Sequence, residues 1–205
     1  MIILGITGSI GMGKTTVSKM LRILKIPVFD SDKTVKVMLE ENLDVIEKIS
    51  MIWPETVSSC QTQKKVNKLL LSDIIFKNTN EREKLEKIIH PIVNEERKLF
   101  LKRCKKNKIV GLDIPLLYET GMDNNCDYIF LINTTKRVQM KRVLNRPNMT
   151  EKKFELINNS QWSLEKKIKG KKKPYIITTS FGIIFTFIIV LFYLFQIKFK
   201  GIYRD

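Results

Sequence analysis

Gly8-Ser9-Ile10-Gly11-Met12-Gly13-Lys14-Thr15 decides how this chain is read. The letters follow G-x-x-x-x-G-K-[ST], and their setting matters as much as their identity. The apolar run Ile2-Ile3-Leu4-Gly5-Ile6 precedes them, and Val17, Met20, Leu21 and Leu24 follow on one helical face. Strand, glycine-rich turn and helix, in that order, is the context a phosphate-binding loop (P-loop) requires. Glycines let backbone N–H groups curl around phosphate oxygens, and the helix N-terminus adds its positive dipole end. Lys14 is then placed to neutralise a phosphoryl group in transfer, and Thr15 to hold Mg²⁺ through its hydroxyl. A glycine turn of no consequence is the alternative, and the flanking strand and helix speak against it.

Outward from the loop, Pro27-Val28-Phe29-Asp30 begins a second strand. Residues 33–107 carry mostly 3.6-residue periodicity with many Lys and Glu, interrupted at Trp53-Pro54 and His90-Pro91, which predicts a helical insertion rather than more sheet. Ile109-Val110-Gly111-Leu112-Asp113 and Tyr128-Ile129-Phe130-Leu131-Ile132-Asn133 read as buried strands, and a basic helix follows at 135–146. Strands alternating with helices imply a parallel α/β sheet. No internal repeat is present.

The chain has 205 residues, 43% of them hydrophobic, enough for one domain with a sizeable core. Disordered, collagen-like and disulfide-scaffold classes are excluded. The net charge of +16 divides evenly, +8 in residues 1–165 and +8 in residues 166–205. Such a protein attracts polyanions, and charge alone does not choose among nucleic acid, anionic lipid and phosphorylated small molecules. Cys60, Cys104 and Cys126 are widely spaced, with no CxxC and one His in the chain, which predicts reduced thiols and no zinc site. The N-terminus lacks a basic leader region and runs straight into the loop, so folding in the cytoplasm is expected.

A P-loop specifies a nucleotide and leaves the reaction open. At the end of the second strand comes Phe29-Asp30-Ser31-Asp32. Carboxylates at i and i+2 of an extended chain point to one side, and strand C-terminal ends face the ligand crevice of open α/β sheets. Asp32 or Asp30 is therefore suited to orient an acceptor hydroxyl and take its proton, the other aiding with metal or positioning. Alternatively, the pair simply caps the next helix. Asp113, ending its strand, suits the Mg²⁺ shell or a turn cap. His90 reads as a ligand contact or, more ordinarily, as a buried or capping residue. Arg137, Lys141, Arg142 and Arg146 follow the last core strand. Arg142 and Arg146 at i, i+4 on one helix face would clamp phosphates from a closing lid, or form a solvated basic face.

Taken together, these residues resemble the bacterial dephospho-CoA kinases. The resemblance rests on Thr7 to Thr16, Phe29-Asp30-Ser31-Asp32, His90-Pro91, Ile114-Pro115-Leu116-Leu117-Tyr118-Glu119 and Gln139-Met140-Lys141-Arg142 through Arg146, in that order. Gln161 with Lys167, and Tyr175-Ile176-Ile177-Thr178-Thr179-Ser180, look like the family's closing Gln…Lys and final strand. It covers about residues 1–180. The resemblance implies a P-loop fold of the nucleoside-monophosphate-kinase type, a parallel sheet flanked by helices, with an acceptor-binding helical insertion at about 33–107 and a lid at about 136–150. It implies that Gly11, Met12, Gly13, Lys14, Thr15 and Thr16 bind ATP, with Arg142 and Arg146 in the lid. Asp32 would act as base toward the ribose 3′-hydroxyl of dephospho-CoA, with Asp30 and His90 on the acceptor side, and Thr15 and Asp113 with Mg²⁺. Lys14 and Arg142 join Asp32 as the catalytic set. ATP and dephospho-CoA are then the expected partners, nucleic acid is not, and nothing in the pattern sets an oligomeric state.

Two other readings compete. A shikimate-kinase-like phosphotransferase also places Asp-x-Asp after its P-loop, but that family's acceptor-binding glycine run is missing here. A membrane-tethered nucleotide switch is suggested by the tail, residues 181–205, where the sequence departs from the family. Pro174 to Ile197 are 24 residues without a charge, flanked by Lys166, Lys167, Lys169 and Lys171 to Lys173 before and Lys198, Lys200 and Arg204 after. The stretch reads as a membrane anchor, as translated noise from a shifted frame, or as a soluble strand and helix needing partners on every face. The first two readings predict that a chain ending at Ser180 is more soluble than the intact one.

Overall fold

A computed structural model describes residues 1–60, 63–147 and 149–202. Arg204, of the basic residues flanking the tail, lies outside them. The chain divides into two compact units, residues 1–30 with 104–205, and residues 31–103.

The first unit is built on a five-stranded sheet. Its strands are β1 (Ile2–Thr7), β2 (Val28–Asp30), β5 (Ile109–Asp113), β6 (Tyr128–Asn133) and β7 (Tyr175–Thr178), with β3 (Val57–Cys60) and β4 (Gln63–Val66) lying in the second unit. The order is β2-β5-β1-β6-β7, and every pairing is parallel. β1 therefore sits at the centre, with β5 on one side and β6 on the other. β5 is buried at all five residues and β6 at its four central ones, as a sheet covered on both faces requires. Helix α1 (Lys14–Ile23) follows the loop and packs Val17, Met20 and Leu21 against Leu4, Ile6 and Phe130. All five predicted strands form, within a residue or two of their expected bounds.

Of the three readings of the tail, the structure agrees with the strand and helix. Among the described residues, no helix is long and apolar enough to cross a membrane. Helix α9 (Ile183–Ile202) instead runs back along β7. Thr186, Val190, Leu194 and Ile197 recur at helical spacing and are at most 5% exposed. The three apolar members join the sheet's core cluster, and the Tyr193 ring lies 4.8 Å from that of Tyr175. Whichever frame encodes it, the stretch folds as a strand and a helix with one face buried. The expected partners on every face are not found: Ile184, Ile188, Phe192 and Phe195 are more than half exposed.

The second unit holds α2 (Ser31–Glu41), α3 (Leu43–Ile52), α4 (Lys68–Lys77) and α5 (Thr79–Arg103) around Met38, Val45, Ile46, Ile49, Trp53, Leu71 and Ile89. Asn42 and Asn67 cap α3 and α4 by accepting first-turn backbone N–H groups. Two expectations fail here. A short antiparallel hairpin, β3 (Val57–Cys60) with β4 (Gln63–Val66), lies in what reads as helical sequence. His90-Pro91 does not interrupt α5, which runs for 25 residues through it. Proline removes one helical hydrogen bond. Ile88, Ile89, Ile92 and Val93 on either side all pack on the unit's core, which carries the helix across the gap. Trp53-Pro54 does end α3, and the Trp53 indole donates to Glu81 Oε2 at 2.7 Å.

Candidate active site

The loop between β1 and α1 leaves the sheet at the C-terminal ends of the parallel strands, where open α/β sheets place their ligands. Its path depends on glycine. Gly8 has φ 153° and Gly11 φ 77°, while Gly13 stands at the N-cap of α1 with φ 98°. A Cβ on Gly8 would lie 2.5 Å from the Ile132 carbonyl oxygen, and one on Gly11 2.5 Å from Val143 Cγ2. Backbone yields less easily than a side-chain tip, so Gly8→Ala should destabilise the protein by about 3 kcal/mol, combining steric overlap with a backbone region that L-residues avoid. A thermal melt against the wild type measures it, and an unchanged midpoint would mean the loop is not held against β6.

Lys14 Nζ donates to the Gly8 carbonyl at 2.6 Å and reaches that of Ser9 at 3.4 Å, so the ammonium is folded over the loop's own backbone. Thr15 lies exposed in the first turn of α1 and Thr16 half-buried beside it. Ser18, three residues beyond Thr15 and so on a neighbouring face of the helix, donates its hydroxyl to Asp113 Oδ2 at 2.6 Å. Asp113 is 6% exposed at the end of β5, in register with Ile6 of β1 and Asp30 of β2. The structure thus brings Asp113 and Asp30 together at the same sheet edge. Asp30 Oδ2 faces Arg22 Nη2 at 3.8 Å.

Asp32 differs from the expectation of an extended pair. The strand stops at Asp30 and α2 begins at Ser31, so Asp32 lies in the first turn of a helix. The i, i+2 argument holds for strands and does not extend past Asp30. His90 is exposed in the middle of α5. Asp32 and His90 belong to the second unit, the loop and Asp113 to the first.

The arginine pair is also split. Helix α6 (Lys136–Leu144) ends before Arg146, because Pro147 disfavours helical backbone in the residue ahead of it. Arg146 is exposed beyond the helix end. Arg142 is half-buried and donates from Nη1 to Thr179 Oγ1 at 2.8 Å and from Nη2 to the Thr179 carbonyl at 3.0 Å. The Thr179 hydroxyl in turn donates to the Met12 carbonyl at 2.8 Å. Arg142 therefore lies against the loop, close enough that a Cβ on Gly13 would be 3.2 Å from its Nη1.

Ser18 escapes the sequence reading altogether, and for Gln139, Gln161 and Thr179, which it names only as motif residues, it misses the contacts: both glutamines touch Ile10, and Thr179 joins Arg142 to Met12. Ser18 offers a signal in hindsight, as a small polar residue inside the apolar stripe of α1. Beside these groups lies a cleft of about 570 Å³, lined by Ser9, Met12, Asn133, Gln139, Asn158 and Lys167 among others. Nearby, burial pushes the Tyr118 phenol well above its ordinary pKa, with the charges of Asp123 and Cys126 adding to it. It remains a donor, to the Lys172 carbonyl at 3.2 Å.

A central β1, a glycine loop closed on its own lysine, and a buried aspartate on the adjacent strand define a P-loop kinase. A deoxyadenosine kinase from M. mycoides shares the fold, with a TM-score of 0.52 at 15% identity over 95% of this chain and all of that one. The dephospho-CoA kinase family profile matches residues 2–178, and the chain belongs to that family. The dephospho-CoA kinase of Zymomonas mobilis is 40% identical over 82% of this chain and 83% of its own length, and that of Bartonella quintana 38% identical over 86% and 88%. A Thermus thermophilus crystal structure superposes with a TM-score of 0.78 at 26% identity, covering 95% of this chain and 96% of that one.

Proposed function

We propose that this ATP-dependent kinase transfers the γ-phosphoryl group of ATP to the ribose 3′-hydroxyl of dephospho-CoA, the last step of coenzyme A formation, in the cytoplasm. The observation that carries this reading is a P-loop of the required geometry inside a family match spanning residues 2–178. Gly11 to Thr16 cradle the phosphates through backbone N–H groups and the N-terminus of α1. Lys14 exchanges the carbonyls of Gly8 and Ser9 for phosphate oxygens as they arrive. Arg142, already docked beside Gly13, adds charge from the other side, and Arg146 extends the same basic segment, with 136–150 as the lid.

Asp32 accepts the proton of the acceptor hydroxyl and Asp30 supports it, while the helical insertion with His90 shelters the acceptor. Such transfer depends on positioning and charge neutralisation more than on covalent steps. Thr15 and Asp113 are hard oxygen donors of the kind that would hold Mg²⁺. When bound, the ion neutralises charge on the phosphates.

Purified protein incubated with Mg-ATP and dephospho-CoA should yield CoA, detected by its mass, together with ADP. Absence of CoA with phosphorylation of shikimate would replace the acceptor. Absence of any transfer would end the kinase reading.

A further inference from the structure

Ile10, immediately ahead of the phosphate-cradling run, is held at both its backbone N–H and its carbonyl by side-chain amides. Gln139 Nε2 donates to the Ile10 carbonyl at 2.8 Å, and Gln161 Oε1 accepts the Ile10 N–H at 3.0 Å. Gln139 is 5% exposed and its amide also reaches Asn158 Oδ1 at 3.3 Å, on helix α7 (Glu151–Asn159). The grip is itself anchored. Trp162, next to Gln161, donates its backbone N–H to Glu119 Oε1 at 2.7 Å. That carboxylate lies 3.2 Å from Lys167 Nζ, on helix α8 (Leu164–Ile168), with Lys167 1% exposed. The Glu119–Lys167 contact acts by charge at close range, without an aligned hydrogen bond, so its role is to tie α8 to the segment after β5.

A loop with three glycines at positive φ loses much backbone entropy when ordered and does not hold one shape by itself. Its shape must come from outside. Thr179 fixes the Met12 carbonyl, and the two glutamines fix the N–H and carbonyl of Ile10, two residues earlier. We propose that Gln139 and Gln161 are positioning residues that pre-form the phosphate cradle, so that ATP affinity depends on an amide clamp anchored by Glu119 and Lys167. The proposal rests on the P-loop being the ATP site. Donors already aimed at their target need no reorganisation when the phosphates arrive.

The clamp has a chemical polarity that a merely structural role lacks. Gln161 accepts and Gln139 donates. Gln161→Glu keeps an acceptor oxygen at the same length, whereas Gln139→Glu sets a carboxylate against the Ile10 carbonyl. Gln139→Glu should raise the ATP Kd and KM by about thirtyfold, Gln161→Leu by about tenfold, and Gln161→Glu by no more than about twofold. The KM for dephospho-CoA and the thermal midpoint of the Gln161 variants should stay at wild-type values. ATP binding is read by calorimetry on the full chain and the KM values by ADP release. Equal losses in the two Glu variants, unchanged ATP affinity in Gln139→Glu and Gln161→Leu, or parallel rises in both substrate KM values with a falling midpoint would each overturn the clamp. If Gln139→Glu fails to fold, the contrast between Gln161→Leu and Gln161→Glu decides alone. Failure of the wild-type chain to bind ATP would instead strike the underlying P-loop reading.

Discussion

Asp32→Asn should lower kcat for dephospho-CoA phosphorylation by about 10²- to 10⁴-fold, the range that removal of a general base produces, while ATP should bind with nearly wild-type affinity. The substitution separates the two readings of this residue. Asp32 stands in the first turn of α2, where the positive end of the helix dipole favours a negative side chain and polar side chains satisfy free N–H groups. A helix-terminal role alone is served almost as well by Asn, which has the same size and still accepts a hydrogen bond. Proton acceptance is not, because the amide has no basic oxygen. The thermal midpoint should therefore fall by no more than a few degrees while the rate collapses. Retained activity, followed by ADP release in a coupled assay, would return Asp32 to a capping residue. Asp30→Asn makes the useful contrast: it weakens the pairing with Arg22 at 3.8 Å, and a smaller loss is expected.

The contrast between these two aspartates shows where the sequence was legible. Strand positions announce themselves because buried parallel strands are nearly continuous apolar runs, as in Ile109-Val110-Gly111-Leu112 and Ile129-Phe130-Leu131-Ile132. The P-loop is equally readable, since its glycines answer to backbone geometry that the spacing alone demands. The boundary between Asp30 and Ser31 was not readable, because Asp and Ser favour both a strand end and a helix start. Pro91 misled for a related reason. A proline marks a helix end only when local terms decide, and the apolar residues around it bind α5 to a core that outweighs one missing hydrogen bond. The partners of Arg142 and Ile10 were hidden because they lie far along the chain. Thr179 is 37 residues from Arg142, and Gln161 is 151 from Ile10. Periodicity carries no information about such contacts.

A chain ending at Ser180 should lose its cooperative thermal transition and aggregate, the opposite of what an anchor or a stretch of noise implies. Val190, Leu194 and Ile197 are at most 5% exposed and share one core cluster with Phe130, Ile132 and Ile177. Truncating any one of them to Ala would remove on the order of 1–4 kcal/mol. Deleting all three with their helix also bares the sheet face beneath and leaves Tyr175 without the ring of Tyr193. A loss of that size is comparable to the whole stability of a domain, about 5–15 kcal/mol. The outer face of the same helix behaves differently. Ile184 and Ile188 are 76% and 57% exposed, so Ile184→Ser and Ile188→Ser should each change stability by less than about 1 kcal/mol while shrinking an apolar patch that favours self-association. Circular dichroism melts and light scattering on the truncated chain and the two serine variants test both halves. A truncated chain that melts like the intact one would show that the buried stripe of α9 contributes nothing. Serine variants as unstable as the truncation would mean that the outer face is covered in solution.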